Sequence, residues 1–277
     1  MDCEDDYGVW KYAHSVALAI RKQFQFGPFS SRLNDYDYED FNAVYTLPRP
    51  FNVQIVPSYP QYTTVQIGFG GCGGLYNYHL GIASILQKHF DLSNCVFSGA
   101  STLKSFFYGP NMELIKNANV KTFHGLRDWI PLTKQHLLTT LSPDAYAKVD
   151  KKLFVSTTKV PSLSNKLISS WTLNEDMVDS ILATGHIPIY TNEIVKGFRG
   201  ASYIEGSLFN NTPVLLGDEH PSKLFQIYHW RTVWPHWVLI SPNMEWSTTQ
   251  FNWGRQDAMQ HIHEIKALLH YKQDKCL

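Results

Sequence analysis

The sequence has no uninterrupted apolar run near the length of about 18 residues that a membrane-crossing helix needs, and its opening, MDCEDDYGVW, is acidic where a secretory leader is basic and then apolar. It has no excess of charge of one sign, since 24 Lys and Arg balance 24 Asp and Glu. That balance excludes long-range steering toward nucleic acid or an anionic bilayer, so any lipid contact has to be local and apolar. Cysteine is scarce. Cys3, Cys72, Cys95 and Cys276 form no CxxC pair, and a chain of 277 residues with 44% hydrophobic content buries enough core to need no disulfides. No internal repeat or low-complexity tract is visible. These absences lead to the expectation of one large cytoplasmic domain with no transmembrane segment and no nucleic-acid partner, and they leave the oligomeric state open.

What the sequence does have is glycine in one place. Residues 67–86, IGFGGCGGLYNYHLGIASIL, place six glycines between positions 68 and 81. TTVQIGF before them reads as a short β-rich strand, and YHLGIASILQKHF after them carries Leu80, Ala83, Ile85 and Leu86 at helical spacing. NCVFSGAS is a second strand ending in a tight turn, and TLKSFFYG reads as a short helix. Further on, KKLFVSTTKV is a strand, EDMVDSILATGHIPIY a helix closing at Gly185, and ASYIEGSLFNNTPV a strand running into a loop. This alternation predicts an α/β fold with a mostly parallel sheet and a ligand site at the carboxyl ends of the strands. Residues 1–62 hold a helix pattern from Val9 to Phe24 and then a Tyr, Asp and Pro-rich stretch suited to an irregular extension or lid. Residues 216–277 hold five of the eight tryptophans, Trp230, Trp234, Trp237, Trp246 and Trp253, and an amphipathic helix through Ile262, Ile265 and Leu269. Such clustering marks either a lipid-facing surface or, more commonly, core.

A loop such as GFGGCGG can turn its N–H groups to one side, because glycine tolerates φ > 0 and has no Cβ to block an approaching ligand. It makes an anion cradle. The anion is either a phosphate or the oxyanion formed when an ester carbonyl is attacked. Gly68, Gly70 and Gly73 spell GxGxxG, but the following strand ends in Ser98, Gly99, Ala100 and Ser101 without the acid that a dinucleotide ribose requires, and no Gly-Lys-Ser/Thr follows. The oxyanion reading needs a nucleophile on its own sharp turn, and SGAST supplies Ser101, with Thr102 placed to offer an N–H. A serine needs a base. Glu205, between β-favouring residues and Gly206, is the candidate carboxylate. A Ser-acid-His order through Ser101, Asp218 and His229 or His236 is the competing arrangement. The HIH at 261–263 sets its histidines on different helix faces, so no metal site is expected.

Together these stretches resemble the patatin-like phospholipase family, most closely its animal triacylglycerol lipase branch. The family carries a glycine-rich oxyanion segment, a GxSxG nucleophile and an Asp-Gly-Gly/Ala base motif in that order. Here FGGCGGLYNYHLGIASIL, SGAST and YIEGSLFNNTPV follow the same order, with DSILATGHIPIY before the base strand and Asn211 and Pro213 after it. The resemblance covers roughly residues 63–215. It implies a three-layer α/β/α patatin-like fold, with residues 63–215 as catalytic core, 1–62 as an extension and 216–277 packing on the core. It further implies a cofactor-free lipid acyl hydrolase, acting as a phospholipase or acylglycerol lipase at membrane or lipid-droplet surfaces. Carried over, Gly71, Cys72 and Gly73 form the oxyanion hole with Thr102, Ser101 is the nucleophile and Glu205 the base. Four positions depart from the family pattern: Glu205 replaces the aspartate, Leu103 the elbow's last glycine, Tyr76 the final glycine of the loop, and Ser207 the second small residue of the base motif. A lipid-binding protein that keeps the fold without turnover is the non-enzymatic alternative.

Overall fold

The computed structural model describes residues 53–54, 64–71, 75–99, 123–188, 193–211, 213–215, 223–227 and 244–269; the helix expected at 9–24 and the one expected in TLKSFFYG lie outside them. At the centre is an eight-stranded sheet: β1 (Val53–Gln54), β2 (Val65–Phe69), β3 (Cys95–Gly99), β4 (Leu153–Val160), β5 (Ser164–Ile168), β6 (Lys196–Phe198), β7 (Ala201–Glu205) and β8 (Lys223–Ile227). Its spatial order is β1, β8, β2, β3, β4, β7, β6, with β5 paired to β4 off that path. The inner strands β8, β2, β3 and β4 run parallel. Antiparallel pairings sit at the margins, β1 on β8, β5 and β7 on β4, and β6 on β7. The fold is α/β with the parallel centre that the alternation predicts, consistent with a three-layer patatin-like arrangement. Val53–Gln54, within the stretch read as an irregular extension, pairs with β8.

Among the described residues six α-helices accompany these strands: α1 (Tyr76–His89), α2 (Phe123–Thr140), α3 (Ala145–Lys148), α4 (Asn174–Thr184), α5 (Met244–Gln260) and α6 (Ile262–Leu268). All five residues of β2 are buried, as befits a central parallel strand covered on both faces. Tyr78, Ile82, Ile85 and Leu86 recur at helical spacing on α1 and join Ile67, Phe69, Phe225 and Ile227 in one cluster. Lys88 and His89 close α1 at the negative end of its dipole. Helix α4 opens with Glu175 and Asp176 at its positive end, and Met177 and Ile181 join Val155 and Ile168 in a second cluster. On its flank, Val178 and Leu182 meet Leu137 of α2.

The two clusters share Phe97 and occupy one face of the sheet. Ala258, Ile265 and Leu268 of α5 and α6 belong to the first cluster. Trp246 is buried and meets Trp253 edge-on at 5.4 Å between ring centroids, so these two tryptophans are packed. Trp230, Trp234 and Trp237 lie outside the described residues.

Candidate active site

The pairing along β4 is what brings the ends of β3 and β7 together. Val155 pairs with Gly99 of β3 and with Ile168 of β5, while Thr157 pairs with Glu205 of β7 and Lys166 of β5. A strand has only two edges, and β5 takes one of them throughout. It follows that β3 and β7 share the other edge of β4 and, running in opposite directions, point their carboxyl ends at each other. Gly99 and Glu205 are thus two β4 residues apart along that edge, a spacing of about 7 Å at the usual rise per residue. Phe69, the last residue of β2, pairs with Gly99 on the next strand, so three strand ends meet.

Glu205 is 7% exposed. Its N–H donates to the carbonyl of His186 at 2.9 Å, and its own carbonyl accepts from Thr158 Oγ1 at 3.0 Å. The chain then turns through a 3-10 segment, Gly206–Leu208. A Cβ on Gly206 would overlap the backbone carbonyl of Ser156, the β4 residue between the two paired positions, so only glycine allows the turn to sit flush on the strand. Ser207 is buried against the glycine-rich loop: a Cβ on Gly71 would lie 2.5 Å from the Ser207 Cβ and 2.7 Å from Asn211 Oδ1. The glycine and the small residue of the acid-glycine-small sequence therefore each have a steric reason.

The start of the loop is fixed from the same side. Gly71 N–H donates to Asn211 Oδ1 at 2.6 Å. The amide expected among the oxyanion donors thus has a partner in this structure, and a backbone N–H carries a single proton. Beneath it, the fully buried Gln66 Nε2 donates to Ser98 Oγ at 2.5 Å and to the Pro213 carbonyl at 2.6 Å, and its Oε1 accepts from Leu215 N–H at 3.1 Å. Ser98 Oγ donates to the same Pro213 carbonyl at 2.9 Å. Sequence reading assigned no role to Gln66, Ser98 or Thr158. Its available signal was a glutamine at an inward position of an otherwise apolar strand.

Of the six residues singled out, Gly71 and Glu205 are placed, whereas Cys72, Gly73, Ser101 and Thr102 lie outside the described residues, as do Leu103, Asp218, His229 and His236. Among the described residues no group of three or more His, Cys, Asp or Glu is arranged to hold a metal, and no helix is long and apolar enough to cross a membrane.

No family model matches the sequence. Curated proteins do match it. The chain is 28% identical over 174 residues to patatin-like phospholipase domain-containing protein 2 of Rattus norvegicus, covering 56% of this chain and 36% of that protein. It is 25% identical over 170 residues to patatin-like phospholipase domain-containing protein 4 of Homo sapiens, 54% of this chain and 67% of that one. A third relative, 1-acylglycerol-3-phosphate O-acyltransferase Pnpla3 of Mus musculus, is 25% identical over 167 residues, 54% of this chain and 40% of that protein. The chain is thus similar to patatin-like proteins over a little more than half of its length. The chain spans about a third of the length of the first of these relatives. The names of these relatives span phospholipase and acyltransferase.

Proposed function

We propose that the chain is a lipid acyl hydrolase in which Glu205 takes the proton of Ser101, the serine oxygen attacks an ester carbonyl, and the alcohol leaves with that proton. Water then cleaves the acyl-serine: its proton goes to the carboxylate and its hydroxide to the acyl carbon, the acyl–Oγ bond breaks, and the carboxyl returns the proton to the departing Ser101 oxygen. The observation that carries this reading is the head-to-head approach of β3 and β7 on β4, which sets Gly99 about 7 Å from Glu205. Ser101 follows Gly99 by two residues, so chain connectivity keeps their Cα atoms within about 7 Å. With the Gly71 amide engaged, the oxyanion donors in this reading are Cys72, Gly73 and Thr102. The name of the acyltransferase relative supports a second fate for the same acyl-serine, transfer to a hydroxyl of an acylglycerol phosphate in place of water.

The test is release of product from a panel of fluorogenic acyl esters by the purified chain, with Ser101→Ala and Glu205→Ala beside it. Both substitutions are expected to lower turnover by at least about 10³-fold, since each removes a member of a unit that acts together. Turnover indifferent to Ser101→Ala sinks the proposal. Turnover that survives Glu205→Ala but falls with His229→Ala or His236→Ala transfers the role of base to histidine. Lipid binding with no turnover and no fluorophosphonate labelling of Ser101 identifies a binding protein.

A further inference from the structure

We propose that Asn211 is a positioning residue that holds the glycine-rich loop in register with the base strand. A backbone N–H can only donate, so the side-chain atom facing Gly71 at 2.6 Å has to be the carbonyl oxygen of Asn211. The contact is short and joins segments 140 residues apart in sequence. Packing leaves little freedom around it, because Ser207 occupies the space where a Cβ on Gly71 would lie.

Asn211 is itself anchored two residues downstream, where Pro213 and Leu215 are bound through their backbones by the buried Gln66 and Ser98. Five residues upstream of Asn211, the 3-10 turn is seated on Ser156 by Gly206. The segment from Glu205 to Leu215 is therefore fixed to β4 at one end and to β2 and β3 at the other, and Asn211 is the side chain it extends to the loop. Any shift of the base strand moves the acceptor that fixes the loop, so acid and amides keep one relative geometry. An asparagine suits the task better than an aspartate, because a carboxylate here would set a negative charge beside amides meant for a developing oxyanion. Asn211 acts through Gly71 and touches no reacting atom.

The kinetic half of this inference rests on the acyl-hydrolase reading; the structural half does not. Amide hydrogen exchange, read at Gly71 and across β2 and α1, and ester kinetics are measured for the wild type, Asn211→Ala and Asn211→Asp. Lys148→Gln, on an exposed i,i+4 ion pair, is the control for substitution itself. In Asn211→Ala, exchange at Gly71 is expected to quicken about 5- to 10-fold, the loss of one ordinary hydrogen bond, with β2 and α1 unchanged. Turnover falls by about 10²-fold through misplacement of the loop, with KM little changed. In Asn211→Asp the acceptor is kept, so Gly71 stays protected while kcat falls because of the added charge.

Unchanged exchange at Gly71 in Asn211→Ala overturns the proposal. So does faster exchange throughout β2 and α1, which makes Asn211 a general stabiliser. A rise in KM at constant kcat likewise removes the positioning role. If the wild type shows no Ser101-dependent turnover, the acyl-hydrolase reading fails, and exchange at Gly71 alone decides whether Asn211 holds the loop.

Discussion

Glu205 has its backbone held on three sides, by His186 through its N–H, by Thr158 through its carbonyl, and by pairing with Thr157. With that backbone fixed, the position of the carboxylate is decided by side-chain length. Glu205→Asp withdraws the carboxylate by one methylene, and the strand cannot advance to follow it. The expectation is a loss of about 10²-fold in kcat, as for other misplacements near 1 Å. Activity equal to the wild type would mean that the backbone at 205 yields, against the hydrogen bonds described. Gly206 is constrained more tightly still. Gly206→Ala drives a methyl into the Ser156 carbonyl and should cost about 2–3 kcal/mol, measured as a lower urea midpoint with unchanged slope. At this scale the sequence was readable where the chemistry is local. A carboxylate on a glycine turn stands out, whereas Gln66 and Ser98 do not, because their partners Pro213 and Leu215 are more than a hundred residues away.

Between elements, the decisive contact is the crossing of α1 and α5. A Cβ on Gly81 would strike the Phe251 carbonyl, and one on Gly254 would strike that of Tyr78, so each helix presents its glycine to the other's backbone. Tyr78 Oη then reaches Asp257 Oδ2 at 2.7 Å in the buried seam. Gly254→Ala is expected to destabilise the protein by about 2–3 kcal/mol, seen as a lower midpoint in thermal or urea melts. A second link is the β6–β7 hairpin, whose two turn residues, Arg199 and Gly200, both have positive φ, 45° and 71°. Arg199 is strained there, and its guanidinium bonds to Asp176, at 2.9 Å through Nε, and to the Ser170 carbonyl. Hydrogen bonding from Arg199 holds the Asp176 carboxyl below its usual range. The pair's contribution is thus present above the unfolded carboxylate pKa, about 3.9, and is lost as pH falls through the lower folded value. Arg199→Leu should lower stability at pH 7 by less than about 1 kcal/mol, read from the urea midpoint, and the difference should shrink as pH falls below the unfolded carboxylate pKa, about 3.9. Elements with a strong period or a flanking glycine, β2, β3, β4, β7, α1 and α4, were visible in the sequence. The strands β5, β6 and β8 were not, since SNKLI, KGF and KLFQI are short and become strands by pairing with neighbours already in place.

For the molecule as a whole, the sequence conveyed the order of the motifs but not the approach of the β3 and β7 ends, which depends on β7 turning back antiparallel onto the same edge of β4 as β3. The sequence raised the expectation that residues 216–277 pack on the core, without naming the residues that do so. Ala258, Ile265 and Leu268 pack in the cluster that contains Ile67, Phe69 and Cys95, so residues after 243 are not a dispensable annex. Cys95 offers a direct reading of this. It is 4% exposed, and burial, then the neighbouring Asp91 charge, push its thiol up to about 11. At pH 8 a thiol with that pKa is ionised to about one part in a thousand, against about a quarter for an unfolded cysteine near pKa 8.5, and the thiolate is the reactive form. Alkylation of Cys95 by iodoacetamide, followed on its own peptide by mass spectrometry, should therefore be at least about 100-fold slower in the full chain than in urea. A chain ending at residue 243 uncovers that cluster and should label at a rate close to the unfolded one. Continued protection of Cys95 in the shortened chain would show that β2, β3 and α1 keep their core without α5 and α6, and that the C-terminal helices only decorate it.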